Sequence, residues 1–133
     1  MSNYRPSEKQ SFMNERQREY FRAKLLSWRG DIVKESKETL QHLQDGNQNH
    51  SELVERASSE TERALELRAR DRQRKLIAKI DAALRRIDDG TYGYCEETGE
   101  PVGLKRLEAR PIATLSVEAQ ERHERHERVY RTG

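Results

Sequence analysis

The sequence predicts a mainly α-helical protein: one long antiparallel coiled-coil hairpin, then a small lobe of turns and short strands, then a C-terminal helix. Three observations carry this expectation. Two long stretches repeat apolar residues at three- and four-residue steps, a polar turn rich in Asn and Gln separates them, and beyond Gly90 the helical pattern gives way to short pieces punctuated by Gly and Pro. The composition agrees. With 38% charged and 32% hydrophobic residues, a chain of 133 residues is too polar for one large globular core, but it suits two helices that cover each other along a stripe.

Residues 1–13 hold Pro6, several polar residues and little periodicity, and read as a flexible N-terminal tail. Asn14 then reads as the N-cap of a helix whose stripe is Phe21, Leu25, Trp28, Ile32, Leu40 and Leu43. The stripe weakens at Glu35, Ser36 and Thr39, which predicts thinner packing there. The hairpin tip falls at residues 45–55: Gly46 and Asn47 tolerate left-handed backbone angles, and Ser51 reads as an N-cap with Glu52 and Glu55 suited to the positive end of the next helix. That second helix carries Val54, Ala57, Leu65, Ala69, Leu76, Ile80, Ala83 and Ile87 and stops at Asp88-Asp89-Gly90. The expected organisation is therefore a tail over 1–13, a hairpin over 14–90, and a lobe with a final helix over 91–133, Ser116 capping that helix. Between Arg63 and Lys75 runs a dense set of charges. It reads either as a solvated face with pairs one turn apart or as a partner surface presented by Arg68 and Arg72.

Several function classes are disfavoured. A net charge of +2 is too small to imply nucleic acid, no apolar run reaches membrane-spanning length, and no signal peptide is evident at the N-terminus. One cysteine makes no internal disulfide, so a cytoplasmic protein is expected, and the chain is read as a monomer. The tip carboxylates Glu52 and Glu55 lack a pocket and a nucleophile or base partner, which argues against an enzyme.

The lobe carries the most specific motifs. Tyr92-Gly93-Tyr94-Cys95-Glu96, then Gly103-Leu104-Lys105-Arg106-Leu107-Glu108-Ala109-Arg110-Pro111, closely resembles the zinc-finger segment of the DksA family of bacterial transcription factors. Leu65-Glu66-Leu67-Arg68-Ala69-Arg70-Asp71-Arg72 and Arg74-Lys75-Leu76 are similar to that family's second coiled-coil helix, and Phe21-Arg22 and Trp28-Arg29 to its first. The resemblance implies a transcription regulator that binds RNA polymerase without specific DNA contact, enters its secondary channel tip first, and modulates initiation, together with the alarmone ppGpp. A secondary-channel factor acting on elongation or transcript cleavage is the alternative.

By the same resemblance the tip residues are Glu52, Glu55 and Ala57, and Arg68 and Arg72 contact polymerase. The ppGpp positions match at Leu76, Lys79 and Arg110, while a family lysine falls on Gln120. The four zinc-ligand positions fall on Cys95, Thr98, Ser116 and Ala119, so the lobe reads as a degenerate zinc finger and zinc is not expected. A rescue set of Cys95 with His123, His126 or a carboxylate lacks ligand spacing. Side-chain packing is then expected to hold the lobe: Tyr92, Tyr94, Val102, Leu104, Leu107, Ile112, Leu115 and Val117, against Phe12, Tyr20 or Phe21. Cys95 reads as a packed thiol whose neighbours Glu96 and Glu97 disfavour a redox-active thiolate.

Overall fold

The computed structural model describes residues 4–46 and 53–132, with the side chains of residues 46, 53–58 and 130–132 outside that description. Among the described residues four helices follow one another: α1 (Glu15–Gly46), α2 (Leu53–Asp89), α3 (Leu104–Ala109) and α4 (Val117–Thr132). The turn expected at Asn47 to Glu52, including the Ser51 cap, lies outside the described residues. The chain separates into two compact units, Leu26–Asp81 and Met1–Leu25 with Ala82–Gly133. The boundary between them falls inside α1 and α2.

Within the 26–81 unit, α1 and α2 run antiparallel as a long helical hairpin. Arg29 pairs with Asp81 at 2.7 Å while His42, further along α1, pairs with Glu66, further back along α2. The seam on α2 runs through Glu66, Ala69, Gln73, Leu76 and Ile80, steps of three and four that keep one stripe against the partner helix. Leu65 was expected in this seam. It is 57% exposed, because Glu66 one position on faces α1 and is satisfied there by His42. Ile32 and Leu43 are buried, whereas Trp28, Ser36, Thr39 and Leu40 are only half-buried, so the packing is thin where the α1 stripe weakens.

The other unit is held by a denser core. Phe21, Leu25, Ala83, Ile87, Tyr92, Leu104 and Leu107 are all buried in it. Asn14 caps α1 as expected, its Oδ1 accepting from the Gln17 amide at 2.9 Å. Gln17 was not anticipated. Fully buried, it accepts from the Met13 amide at 2.7 Å and donates to the Ser7 carbonyl at 3.3 Å, a variant of the capping box that stitches the N-terminal segment to the helix start. Residues assigned to a tail by sequence therefore pack: Met13 is buried, and Phe12 meets Tyr94 edge-on at 5.4 Å.

At the end of α2, Gly90 takes φ +85° and the Thr91 amide bonds back to the Arg86 carbonyl at 3.0 Å, a left-handed C-terminal stop that glycine accommodates without a Cβ penalty. Arg22 of α1 and Asp88 close an ion pair at 2.6 Å beside it. The short strands expected in the lobe reduce to one antiparallel bridge between Tyr94 and Pro101 among the described residues. The sequence reading also missed α3, whose six residues give too little periodicity to recognise but bury Leu104 and Leu107 one turn apart.

Candidate functional site

The flank of α2 is where the charge run resolves. Asp71 is ion-paired to Arg74 at 2.9 Å and to Lys75 at 3.0 Å, and Glu66 is engaged by His42 across the hairpin. The Lys75 and Arg74 contacts, with the Arg74 and Lys75 charges, hold the Asp71 carboxyl below its ordinary value despite some burial. Both acids between Arg63 and Lys75 are thus committed. Arg68 and Arg72 are exposed and have no ion-pair partner among the described residues. The pairs expected one turn apart are present at Asp71, and Arg68 and Arg72 stand exposed beside them.

Of the tip residues, Glu52 lies outside the described residues, and Glu55 and Ala57 fall on the first turns of α2 with side chains outside the description. Leu76 is half-buried and Lys79 exposed on the α2 portion of the 26–81 unit. Arg110, exposed, ends α3 in the other unit, its amide bonded to the Arg106 carbonyl at 2.7 Å. Gln120 is half-buried on α4.

The lobe forms a tight knuckle around Cys95. The Cys95 amide donates to the Glu100 carbonyl at 2.7 Å, the Gly99 amide returns to the Cys95 carbonyl at 2.9 Å, and the Val102 amide reaches the Gly93 carbonyl at 2.7 Å. Gly93, Gly99 and Gly103 all take positive φ. Thr98 accepts from the Glu100 amide at 3.2 Å through its hydroxyl. Ser116 caps α4, its hydroxyl accepting from the Ala119 amide at 3.2 Å, and Ala119 itself is buried. Glu97 reaches α4 through His123 and, at 3.8 Å, Arg122.

Cys95 is 3% exposed, and its protonation differs from the sequence expectation. Burial pushes the thiol up, but the Thr98 hydroxyl and the backbone amides of Ser116, Thr98 and Glu97 outweigh it and bring the thiol down to about 6. The carboxylates of Glu96 and Glu97 belong to exposed residues, whereas the amides converge on the sulfur. Sequence adjacency weighed the charges and missed the amides.

Two further contacts tie the lobe to α1. The Tyr92 hydroxyl, buried, donates to the Pro111 carbonyl at 2.8 Å while its ring lies 5.7 Å from Phe21. Glu108 accepts from Lys24 at 2.7 Å and from the Tyr20 hydroxyl at 3.0 Å. Partial burial raises its carboxyl, and these two donors more than compensate, leaving it below the usual value. The packing expected onto Phe12, Phe21 and Tyr20 is present, although Val117 is exposed.

Comparison with known proteins bears on both units. Residues 17–87 match the family described as DnaK suppressor protein DksA, N-terminal domain, and residues 90–125 the family described as prokaryotic dksA/traR C4-type zinc finger. The chain is 71% identical over 130 residues, covering 98% of it and 92% of the relative, to the RNA polymerase-binding transcription factor DksA of Caulobacter vibrioides. It is 43% identical over 117 residues, 88% of this chain and 78% of the relative, to the protein of that name from Escherichia coli strain K12. The structure of transcription factor DksA2 from Pseudomonas aeruginosa superposes with a TM-score of 0.85 at 42% identity, covering 93% of this chain and 94% of that one.

The zinc-finger match corrects the expectation that zinc has no place here: residues 90–125 belong to a segment type that binds zinc in this family. At 95, 98, 116 and 119 stand one thiol, two hydroxyls engaged by backbone amides and a methyl group. No helix among the described residues is long and apolar enough to cross a membrane. With family matches over both units and relatives aligned over nearly its whole length, the chain belongs to the DksA family of transcription factors.

Proposed function

We propose that this protein is a cytoplasmic, non-enzymatic regulator that binds RNA polymerase through the secondary channel and modulates initiation together with ppGpp, without reading DNA sequence. The observation that carries this is kinship: relatives sharing nearly the full chain are named RNA polymerase-binding transcription factors. The hairpin supports it, because Arg68 and Arg72 stand exposed with the neighbouring acids already engaged, as an interaction flank requires. In this reading the flank supplies affinity as a monomer, and Glu55, with a smaller part from Glu52, supplies regulation by its charge near the polymerase active centre. Leu76, Lys79 and Arg110 hold ppGpp jointly with polymerase, and Gln120 leaves that site one cation short.

The test separates docking from action. Glu55→Gln should bind core RNA polymerase within a fewfold of the native protein, because an exposed charge contributes little to affinity. It should lose the change in open-complex lifetime that the native protein produces. Unchanged regulation by Glu55→Gln refutes the tip's role, and failure of the native protein to co-purify with RNA polymerase refutes the whole reading.

A further inference from the structure

Thr61, Leu65, Arg68 and Arg72 follow one another on α2 at steps of four, three and four. At 3.6 residues per turn they fall within about 60° of one another, a narrow stripe beside the seam rather than in it. A shallow hollow lined by Glu60, Thr61, Ala64, Leu65 and Arg68 opens on the same stripe. A single exposed leucine would need no explanation. Here it coincides with that hollow and with two arginines lacking ion-pair partners among the described residues, after Glu66 and Asp71 have been used elsewhere.

We propose that Leu65 is the apolar anchor of this stripe, seated in an apolar socket on an acidic protein surface of RNA polymerase, with Arg68 and Arg72 pairing carboxylates around it. The inference rests on the polymerase-binding reading and adds the residue that fixes docking register. Charge complementarity points to an acidic partner, since Arg68 and Arg72 outnumber Glu60, the acid lining the hollow, and Asp71 is held by Arg74 and Lys75. Leu65 points to protein rather than nucleic acid, because a phosphate backbone offers charge but no socket for a branched alkyl group. An apolar centre ringed by arginines is also the arrangement in which binding energy concentrates, water being excluded from the pairs by the anchor.

Leu67 provides the internal control. It is 48% exposed but lies two residues on, about 200° around the helix, away from Arg68 and Arg72. Affinity for core RNA polymerase should be measured at low and moderate salt for the native protein, Leu65→Ala, Leu65→Met, Leu67→Ala and Arg68→Ala, alongside melting temperatures. Leu65→Ala should bind at least tenfold more weakly at both salt concentrations with its melting temperature unchanged. Leu65→Met, apolar and of similar volume, should stay within threefold, and Leu67→Ala within twofold. Arg68→Ala should lose most at low salt, where charge attraction is least screened. Leu65→Ala binding within twofold of the native protein overturns the proposal while leaving polymerase binding standing; a native protein that does not bind polymerase overturns the reading beneath it. Tight binding to bare duplex DNA that depends on Arg68 and ignores Leu65 would also overturn it, in favour of a nucleic-acid surface.

Discussion

Gly93→Ala tests whether the N-terminal segment is part of the lobe. Gly93 sits at φ +90°, and a Cβ added there would approach Met13 Cγ and Phe12 Cζ at 3.2 Å and Phe12 Cε2 at 3.3 Å. Phe12 cannot withdraw freely, because its ring is set edge-on against Tyr94 at 5.4 Å. Two costs therefore combine: about 1–2 kcal/mol for a side chain in left-handed backbone and about 1–3 kcal/mol for crowding a packed contact. Gly99 isolates the first, since it also has positive φ, +74°, but nothing lies within 4 Å of its added Cβ. Gly99→Ala should cost about 1–2 kcal/mol, and Gly93→Ala should exceed it by about 1–3 kcal/mol. Unfolding in urea is followed by near-UV circular dichroism, to which Tyr20, Tyr92 and Tyr94 of this unit contribute, and by Trp28 fluorescence, which reports on the 26–81 unit and identifies its share of the signal. Adding Phe12→Ala to Gly93→Ala should recover part of the crowding cost. Equal destabilisation by Gly93→Ala and Gly99→Ala would refute the packing of Phe12 and Met13 on the lobe.

Tyr92→Phe keeps the ring contact with Phe21 but leaves the Pro111 carbonyl without its 2.8 Å donor, so it should destabilise the same unit by about 1–2 kcal/mol in urea titration. Glu108 carries a pH signature: its carboxyl is lowered in the folded protein, so its contribution is complete above the unfolded carboxylate value of about 4.3 and fades as pH falls from there through its lowered folded value. The stability gap between the native protein and Glu108→Gln should accordingly be about 1 kcal/mol or less at neutral pH, given that roughly a third of each partner's side chain meets solvent, and should close in acid. For the alarmone, Lys79→Ala and Arg110→Ala should each weaken ppGpp-dependent enhancement of transcription regulation more than the effect without ppGpp, and Gln120→Lys should strengthen it. Equal losses in both conditions would make Lys79 and Arg110 docking residues only.

What could be read from the sequence follows how locally each feature is determined. Asn14, Gly90 and Ser116 were legible because a cap or a helix stop is decided within a few residues by one hydrogen bond or one backbone angle. Phe21, Leu25, Ile80, Ala83 and Ile87 were legible because apolar periodicity and burial coincide there. The seam further along α2 was not, since Glu66 occupies a facing position where apolar pattern pointed to Leu65, and only the distant His42 makes that tolerable. Gln17 and Met13 escaped for a similar reason: a buried amide that accepts from one backbone group and donates to another leaves no periodic trace.

The knuckle around Cys95 shows how the shape of a family segment can be set by its backbone. Its shape is drawn by backbone bonds among Gly93, Cys95, Gly99, Glu100 and Val102, with glycines at the positive-φ corners, and none of these bonds needs a thiolate at 98, 116 or 119. The same curvature turns the amides of Glu97 and Thr98 toward one sulfur and the Ser116 amide joins them from the start of α4, which is why the thiol sits near 6 although it is buried beside two glutamates. Thr98 and Ser116 then take on local duties, one accepting from Glu100 and the other starting α4. Fold in this lobe is thus encoded in backbone donors and turn glycines. The nature of the group at the centre depends on the few side chains those donors surround.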